Sequence, residues 1–334
     1  MALIFLKLIT KYKAHNFPEF CPISLSIWDK TCPTESNLWR RPKSTAGLQM
    51  KMIDVDGVKL NYQEKGNGPT LILIHGIPTD YRAWEEQVDV LSKNFRTISY
   101  SRRCAFPNQN KDYASSTVEN NEKDLEGLIA QIGGGPVHLI AHSYGGAVAA
   151  NCALKNPDLV RSLVLIEPWL LTMLLKNPDS KIQNLSFLLR KPSVALSGRK
   201  AMKNTLAMYK ELDRKNMEKV LQMFLDGLQD QPNTMKQYSS AILEMMRANV
   251  GTVGELRTKS PLFTKKEAKR VSQPTLLLTG ERSIKILQAI VGELHKSMPN
   301  NEMVTIPNAA HMSHIENPKA VNEAMSKFIK GHNN

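Results

Sequence analysis

Four short, nearly unbroken apolar runs punctuate the chain: Thr70–Ile74, Val137–Ala141, Leu163–Ile166 and Thr275–Leu278. A run without polar alternates is a strand covered on both faces. Between the runs the apolar residues fall at helical spacing, as in Trp84, Val88 and Leu91, or along Val118–Ile132, which Gly133-Gly134-Gly135-Pro136 stops. Strands that alternate with helices make parallel βαβ units, whose crossover helices cover both sheet faces. Further strands are predicted at Phe95–Tyr100 and Met303–Ile306, and a hairpin at Met50–Val55 and Val58–Glu64 around Asp56-Gly57. A small-residue helix is predicted over Gly145–Leu154. Ile284, Leu287, Val291 and Leu294 predict a helix with Ser283 as its N-cap, and Asn317-Pro318 opens a last helix whose buried stripe is Val321, Met325, Phe328 and Ile329.

The alternation stops after Leu163–Ile166 and resumes at Thr275–Leu278. The interruption reads as helical. Met217, Val220, Leu221, Phe224 and Leu228 share one face, and Tyr238, Ala241, Ile242, Met245 and Met246 another. Such Met-rich stripes are core by default, and Met also repacks around varied shapes in an adaptable apolar pocket. The expected organisation is an N-terminal extension over 1–48, a core over 49–168 and 271–334, and a helical cap over 169–270. The extension shows no sustained period and is expected to be flexible.

At 334 residues and 37.5 kDa, the chain is long enough for one large domain with an insertion. With 42% hydrophobic and 22% charged residues it is neither disordered nor membrane-spanning in composition. The net charge of +13 is concentrated. Residues 168–272 hold 19 Lys and Arg against 9 Asp and Glu, and residues 1–48 hold 7 against 3. No nucleic-acid motif accompanies this charge, so a solvated basic surface is expected rather than a nucleic-acid partner. Cys21, Cys32, Cys104 and Cys152 form no CxxC pair. A thiol metal site is not expected, and the count fits a reducing compartment, hence cytoplasmic residence, with an organellar address in the extension as the alternative.

The chemistry gathers at Ala141-His142-Ser143-Tyr144-Gly145-Gly146, between a buried strand and a small-residue helix. A serine on so sharp a turn is lifted clear of the sheet, and only small neighbours let strand and helix approach. Its hydroxyl is a weak nucleophile until a base takes the proton. His311, in the loop between the last strand and the last helix, is the candidate base. His142 is expected to point elsewhere, and His314 to be a packing or surface residue. No Asp occurs from 271 to 334, and Ser283 stands where an acid after the penultimate strand is usual. Two carboxylates remain near strand ends. Glu167 is preferred as the residue that orients His311, because it ends a strand at the carboxyl edge of the sheet, where open α/β sites form; Glu281 is the alternative. His75-Gly76-Ile77-Pro78 follows another strand. Pro78 has no N–H, so the Ile77 and Tyr144 amides are the candidate donors to an oxyanion, with His75 bracing the loop.

The HG-x-P loop, the AHSYGG turn, the IEP strand end, TGERS and AAHMSHIENP occur in an order that resembles the α/β-hydrolase fold superfamily over about residues 50–334. The resemblance implies a mostly parallel sheet of about eight strands and cofactor-free, metal-free hydrolysis through an acyl-enzyme. HG-x-P loops also occur in haloalkane dehalogenases and epoxide hydrolases, which attack carbon with a carboxylate; Ser143 disfavours that chemistry. The resulting expectation is a serine hydrolase for a small ester, lactone or thioester. The alternatives are a ligand-binding receptor with little turnover, a perhydrolase or a carbon–carbon bond hydrolase. Ser101-Arg102-Arg103 has no assigned role at this level.

Overall fold

The computed structural model describes residues 49–175, 181–258 and 261–332. The expectations for the extension over 1–48, including Cys21 and Cys32, lie outside the described residues. Within them the strands are β1 (Lys51–Val55), β2 (Val58–Lys65), β3 (Thr70–Ile74), β4 (Arg96–Tyr100), β5 (Val137–His142), β6 (Val160–Ile166), β7 (Thr275–Gly280) and β8 (Asn301–Ile306). They form one eight-stranded sheet in the order β1-β2-β4-β3-β5-β6-β7-β8. The β1–β2 hairpin and its junction with β4 are antiparallel, and every other pair is parallel.

The helices of the core are α1 (Glu85–Leu91), α2 (Val118–Gln131) and α3 (Ser143–Lys155), followed after the insertion by α9 (Lys285–Ser297), α10 (Ser313–Glu316) and α11 (Pro318–Gly331). Successive strand residues point to opposite faces. Leu71 and Leu73 therefore join Trp84, Val88, Ile140, Val164, Val321 and Met325 on one side of the sheet. Ile72 and Ile74 join Leu125, Leu139, Val148, Leu163, Leu165 and Val291 on the other. Each such fully buried aliphatic side chain contributes about 1.5–3 kcal/mol.

The insertion between β6 and β7 contains α4 (Lys181–Arg190), α5 (Pro192–Asp213), α6 (Met217–Gln229), α7 (Ser240–Asn249) and the short α8 (Lys265–Ala268), with a 3-10 stretch at Val250–Arg257. Its apolar stripe buries Val220, Leu221, Phe224 and Leu228, and the second stripe buries Tyr238, Met245 and Met246. Its two ends meet where the Thr172 hydroxyl donates to Phe263 O at 2.8 Å and accepts from Phe263 N at 3.0 Å.

Three local expectations need correction. Ser283 does not cap α9: Ile284 occupies that position without a side-chain bond, and the Ser283 side chain is buried beside Glu167. Trp84 ends a 3-10 turn, Tyr81–Trp84, rather than lying in α1. The small-residue helix begins at Ser143, two residues before the first of its glycines. The Asn317 cap is present, its side chain accepting from Ala320 N at 3.3 Å.

The strand order reverses direction at β3, which pairs with β4 on one side and β5 on the other. The loops after β3 and β5 consequently diverge over the carboxyl edge, leaving a crevice. Gly145 closes the gap between α3 and the β3 end: a Cβ there would sit 2.5 Å from the carbonyl oxygens of both Ile74 and His75. Gly292, in the middle of α9, has nothing within 4 Å. Gly145→Ala is expected to lose at least about 2 kcal/mol of unfolding free energy, and Gly292→Ala to gain about 0.5–1 kcal/mol. Urea denaturation of both variants checks the contrast.

Candidate active site

Ser143 is the first residue of α3 and follows the last residue of β5 without an intervening loop. Its φ of +52° lies in the left-handed region, which a non-glycine residue adopts at a cost of order 1–3 kcal/mol. The packing on both sides holds it there. A Cβ on Gly76 would come within 3.0 Å of Ser143 Cβ, and one on Gly146 within 2.7 Å of Pro168 Cβ. The turn is thus wedged between the loop after β3 and the residue that follows Glu167. Trp169 N fastens the latter contact by donating to Ser143 O at 2.9 Å.

Three side chains, one each from the chain segments after β5, β6 and β8, meet. His311 Nε2 lies 3.0 Å from Ser143 Oγ, and His311 Nδ1 lies 2.9 Å from Glu167 Oε2. A carboxylate only accepts, so Nδ1 carries the proton and Nε2 presents its lone pair to the serine hydroxyl. Glu167 Oε1 accepts from the Thr279 hydroxyl at 2.7 Å and from Gly280 N at 2.9 Å. Burial pushes the Glu167 carboxyl upward, but the His311 bond and charge and the Ser283 and Thr279 hydroxyls outweigh it, and the net pKa lies below the ordinary value. Glu167 also has a positive φ, +41°, and its amide bonds Leu278 O at 3.1 Å, which turns the chain sharply at the β6 end. All three side chains are nearly closed off: Ser143 is 6% exposed, His311 and Glu167 1% each.

Glu281 does not reach His311. Its carboxylate accepts instead from Asn308 N at 2.9 Å, at the exposed edge of the histidine loop. Ser283, in the place where an acid was looked for, is buried and contributes a hydroxyl beside Glu167.

His142 does not point away from the site. Its ring packs 4.6 Å from that of His311 and 4.5 Å from that of His314, and its Nε2–H donates to His311 O at 3.0 Å. It therefore holds the backbone of His311. Burial, then the neighbouring His314 and His311, drives the pKa of His142 well below the usual imidazole value. His314 is buried against Trp84 and is lowered to about 3 for the same reasons. Two of the rings around His311 are thus held neutral, which removes competing charge from beside it. On the other flank His75 Nε2 accepts from Arg102 N at 2.9 Å, so Nδ1 carries the proton and bonds Gly76 O at 2.8 Å. This braces the loop that carries Ile77.

The N-terminal N–H groups of a helix have no intrahelical acceptor. Tyr144, second in α3, has such an amide, and Ile77 is buried in the loop that abuts Ser143. Among the described residues no group of three or more His, Cys, Asp or Glu is placed to hold a metal ion, and no helix is long and apolar enough to cross a membrane.

The family model for the alpha/beta hydrolase fold matches residues 69–318. The chain belongs to that family. Epoxide hydrolase 3 of Xenopus tropicalis is 26% identical over 292 residues, spanning 82% of this chain and 75% of the relative. The 2-(acetamidomethylene)succinate hydrolase of Mesorhizobium japonicum is 26% identical over 285 residues, spanning 84% and 94%. Among solved structures, a thermophilic esterase from Thermogutta terrifontis superposes with a TM-score of 0.65 at 22% identity, covering 86% of this chain and all of the other. A Bacillus megaterium epoxide hydrolase superposes at 0.66 and 20% identity, covering 84% and 100%. The family match and the two relatives carry a hydrolytic role, and the structural neighbours carry the fold.

Two contributors escaped the sequence reading. Glu316 accepts from Ala310 N beside His311 and from the Tyr238 hydroxyl of the insertion at 2.8 Å, and the Arg102 amide holds His75. The Ser101-Arg102-Arg103 run was the only signal for the second.

The depressed pKa of Glu167 has a consequence for stability. The group stabilises the fold above its unfolded pKa of about 4.3, and that contribution is lost as pH falls through the lower folded value. Glu167→Gln is expected to show a smaller fall in Tm than wild type between pH 5 and pH 3, as read by thermal denaturation.

Proposed function

We propose that the chain is a serine hydrolase that cleaves a small carboxylic ester, with lactones and thioesters as chemically equivalent substrates. The observation that carries this reading is the continuous hydrogen-bonded line from Ser143 through His311 to Glu167. Ser143 Oγ attacks the carbonyl carbon while His311 Nε2 takes its proton. The negative oxygen binds to the Ile77 and Tyr144 amides, donors already fixed in place and shielded from water. His311 then gives the proton to the departing alcohol, leaving an acyl-Ser143. Water repeats the sequence with the same base and releases the acid. Glu167 keeps Nδ1 protonated and stabilises the imidazolium in both halves.

The epoxide hydrolases among the relatives do not lend their named activity to this reading, because Ser143 disfavours attack on carbon by a carboxylate. The described helices of the insertion between β6 and β7 act as a cap that excludes water from the site. The buried free thiols Cys104 and Cys152 support residence in a reducing compartment such as the cytoplasm.

Ser143→Ala is expected to lower turnover of p-nitrophenyl butyrate by at least about 10³-fold and to abolish labelling by a fluorophosphonate. Glu167→Gln is expected to lower kcat by about 10³–10⁴-fold, since it removes the group that fixes the imidazole tautomer. Glu281→Gln should stay within about twofold of wild type, since its carboxylate serves only a loop amide. Undiminished turnover in Ser143→Ala refutes the mechanism, and stoichiometric release without turnover in wild type favours the receptor alternative.

A further inference from the structure

Arg102 and Glu255 form a fully buried ion pair across the junction of core and insertion, with Nη1 2.7 Å from Oε2 and neither side chain exposed. Arg102 follows β4 by two residues, and Glu255 lies in the 3-10 stretch Val250–Arg257 of the insertion. Burying two charges is expensive, and an apolar pair of similar size often serves stability as well or better. The contacts of the guanidinium suggest what it does instead. Its Nε–H donates to His75 O at 3.1 Å, while the Arg102 amide holds His75 Nε2 at 2.9 Å. Arg102 therefore grips His75 from both main chain and side chain, immediately ahead of Gly76-Ile77. Its guanidinium also lies 4.7 Å over the ring of Tyr144, the other oxyanion residue. The Tyr144 hydroxyl bonds Ser116 O at 2.8 Å, and the Ser116 hydroxyl returns to Glu255 Oε1 at 2.9 Å. Asn249, the last residue of α7, donates to Asp80 Oδ2 at 2.7 Å and accepts from Phe106 N at 2.7 Å, so the insertion is fastened to the loops after both β3 and β4.

We propose that Arg102 and Glu255 are a positioning pair, through which the seated insertion fixes the two backbone amides that receive the oxyanion. This deepens the serine-hydrolase reading and rests on it. Glu255 anchors the guanidinium from the cap side. The guanidinium then sets His75, and with it the Ile77 amide, against the Tyr144 ring at the start of α3. Without the glutamate the guanidinium loses its anchor on the cap side, and the two donors lose their common reference. Neither residue touches the reacting atoms.

The test uses the full chain with p-nitrophenyl butyrate. Glu255→Gln keeps the shape and removes the charge. It is compared with Ser143→Ala and with the paired variant Arg102→Met/Glu255→Met. In Glu255→Gln, kcat is expected to fall about 10- to 100-fold, less than the loss of a whole oxyanion donor, with KM within about threefold of wild type. In the paired variant apolar side chains fill the buried space, so Tm is expected to recover to within a few degrees of wild type while kcat stays low. An ion pair that only supported the fold would move Tm and kcat together. Recovery of both in the paired variant therefore overturns the proposal, as does a wild-type kcat in Glu255→Gln. Where Glu255→Gln fails to fold, the paired variant alone decides. Turnover that survives in Ser143→Ala overturns the serine reading and the pair with it. Loss of turnover there, beside a wild-type kcat in Glu255→Gln, overturns the pair alone.

Discussion

The bond between the Ser143 hydroxyl and the His311 imidazole spans 168 positions of sequence at 3.0 Å. It requires that the chain segments after β5, β6 and β8 converge at one edge of the sheet, and three close glycine contacts serve that requirement. Gly145 brings α3 onto the β3 end, Gly146 brings it onto Pro168, and Gly280 leaves room for the carbonyls of Ala309 and Ala310 beside the histidine. A parallel sheet puts its strand ends at one edge and staggers their loops. A strained serine can then persist because its neighbours over-determine it.

The electrostatics follow the same plan. His142 packs against the His311 ring, and His75, His142 and His314 are all driven toward the neutral form by burial. Glu167 is the acid that stays charged, because its carboxylate has donors on both oxygens. The nearby neutral rings contribute shape and hydrogen bonds instead of charge, as when His142 holds the His311 carbonyl.

Much of this was legible in the residues alone. Apolar runs located the strands of the sheet, since a doubly covered strand cannot carry alternating polar residues. The absence of Asp after 270 narrowed the acid to two glutamates, and the strand-end position of Glu167 favoured the one that meets His311. Long-range polar partners were not legible. Nothing local marks Glu255 as buried opposite Arg102, or Glu316 as bridging Tyr238 to the base loop, because each partner is set by how the insertion settles on the core. Ser283 misled for a related reason: a serine before a helix reads as a cap, and only the tertiary fold shows it turned inward beside a carboxylate. His142 was misplaced because a sharp turn fixes its backbone direction but not the packing of its ring.

The most direct measurement is mass spectrometry of the intact chain, quenched in acid within milliseconds of mixing with an activated ester and then digested. The account predicts one added acyl group per chain, located on the peptide that contains Ser143, appearing before steady turnover and disappearing as substrate runs out. Turnover with Ser143 unmodified at all times, or acyl transfer to a different side chain, contradicts it.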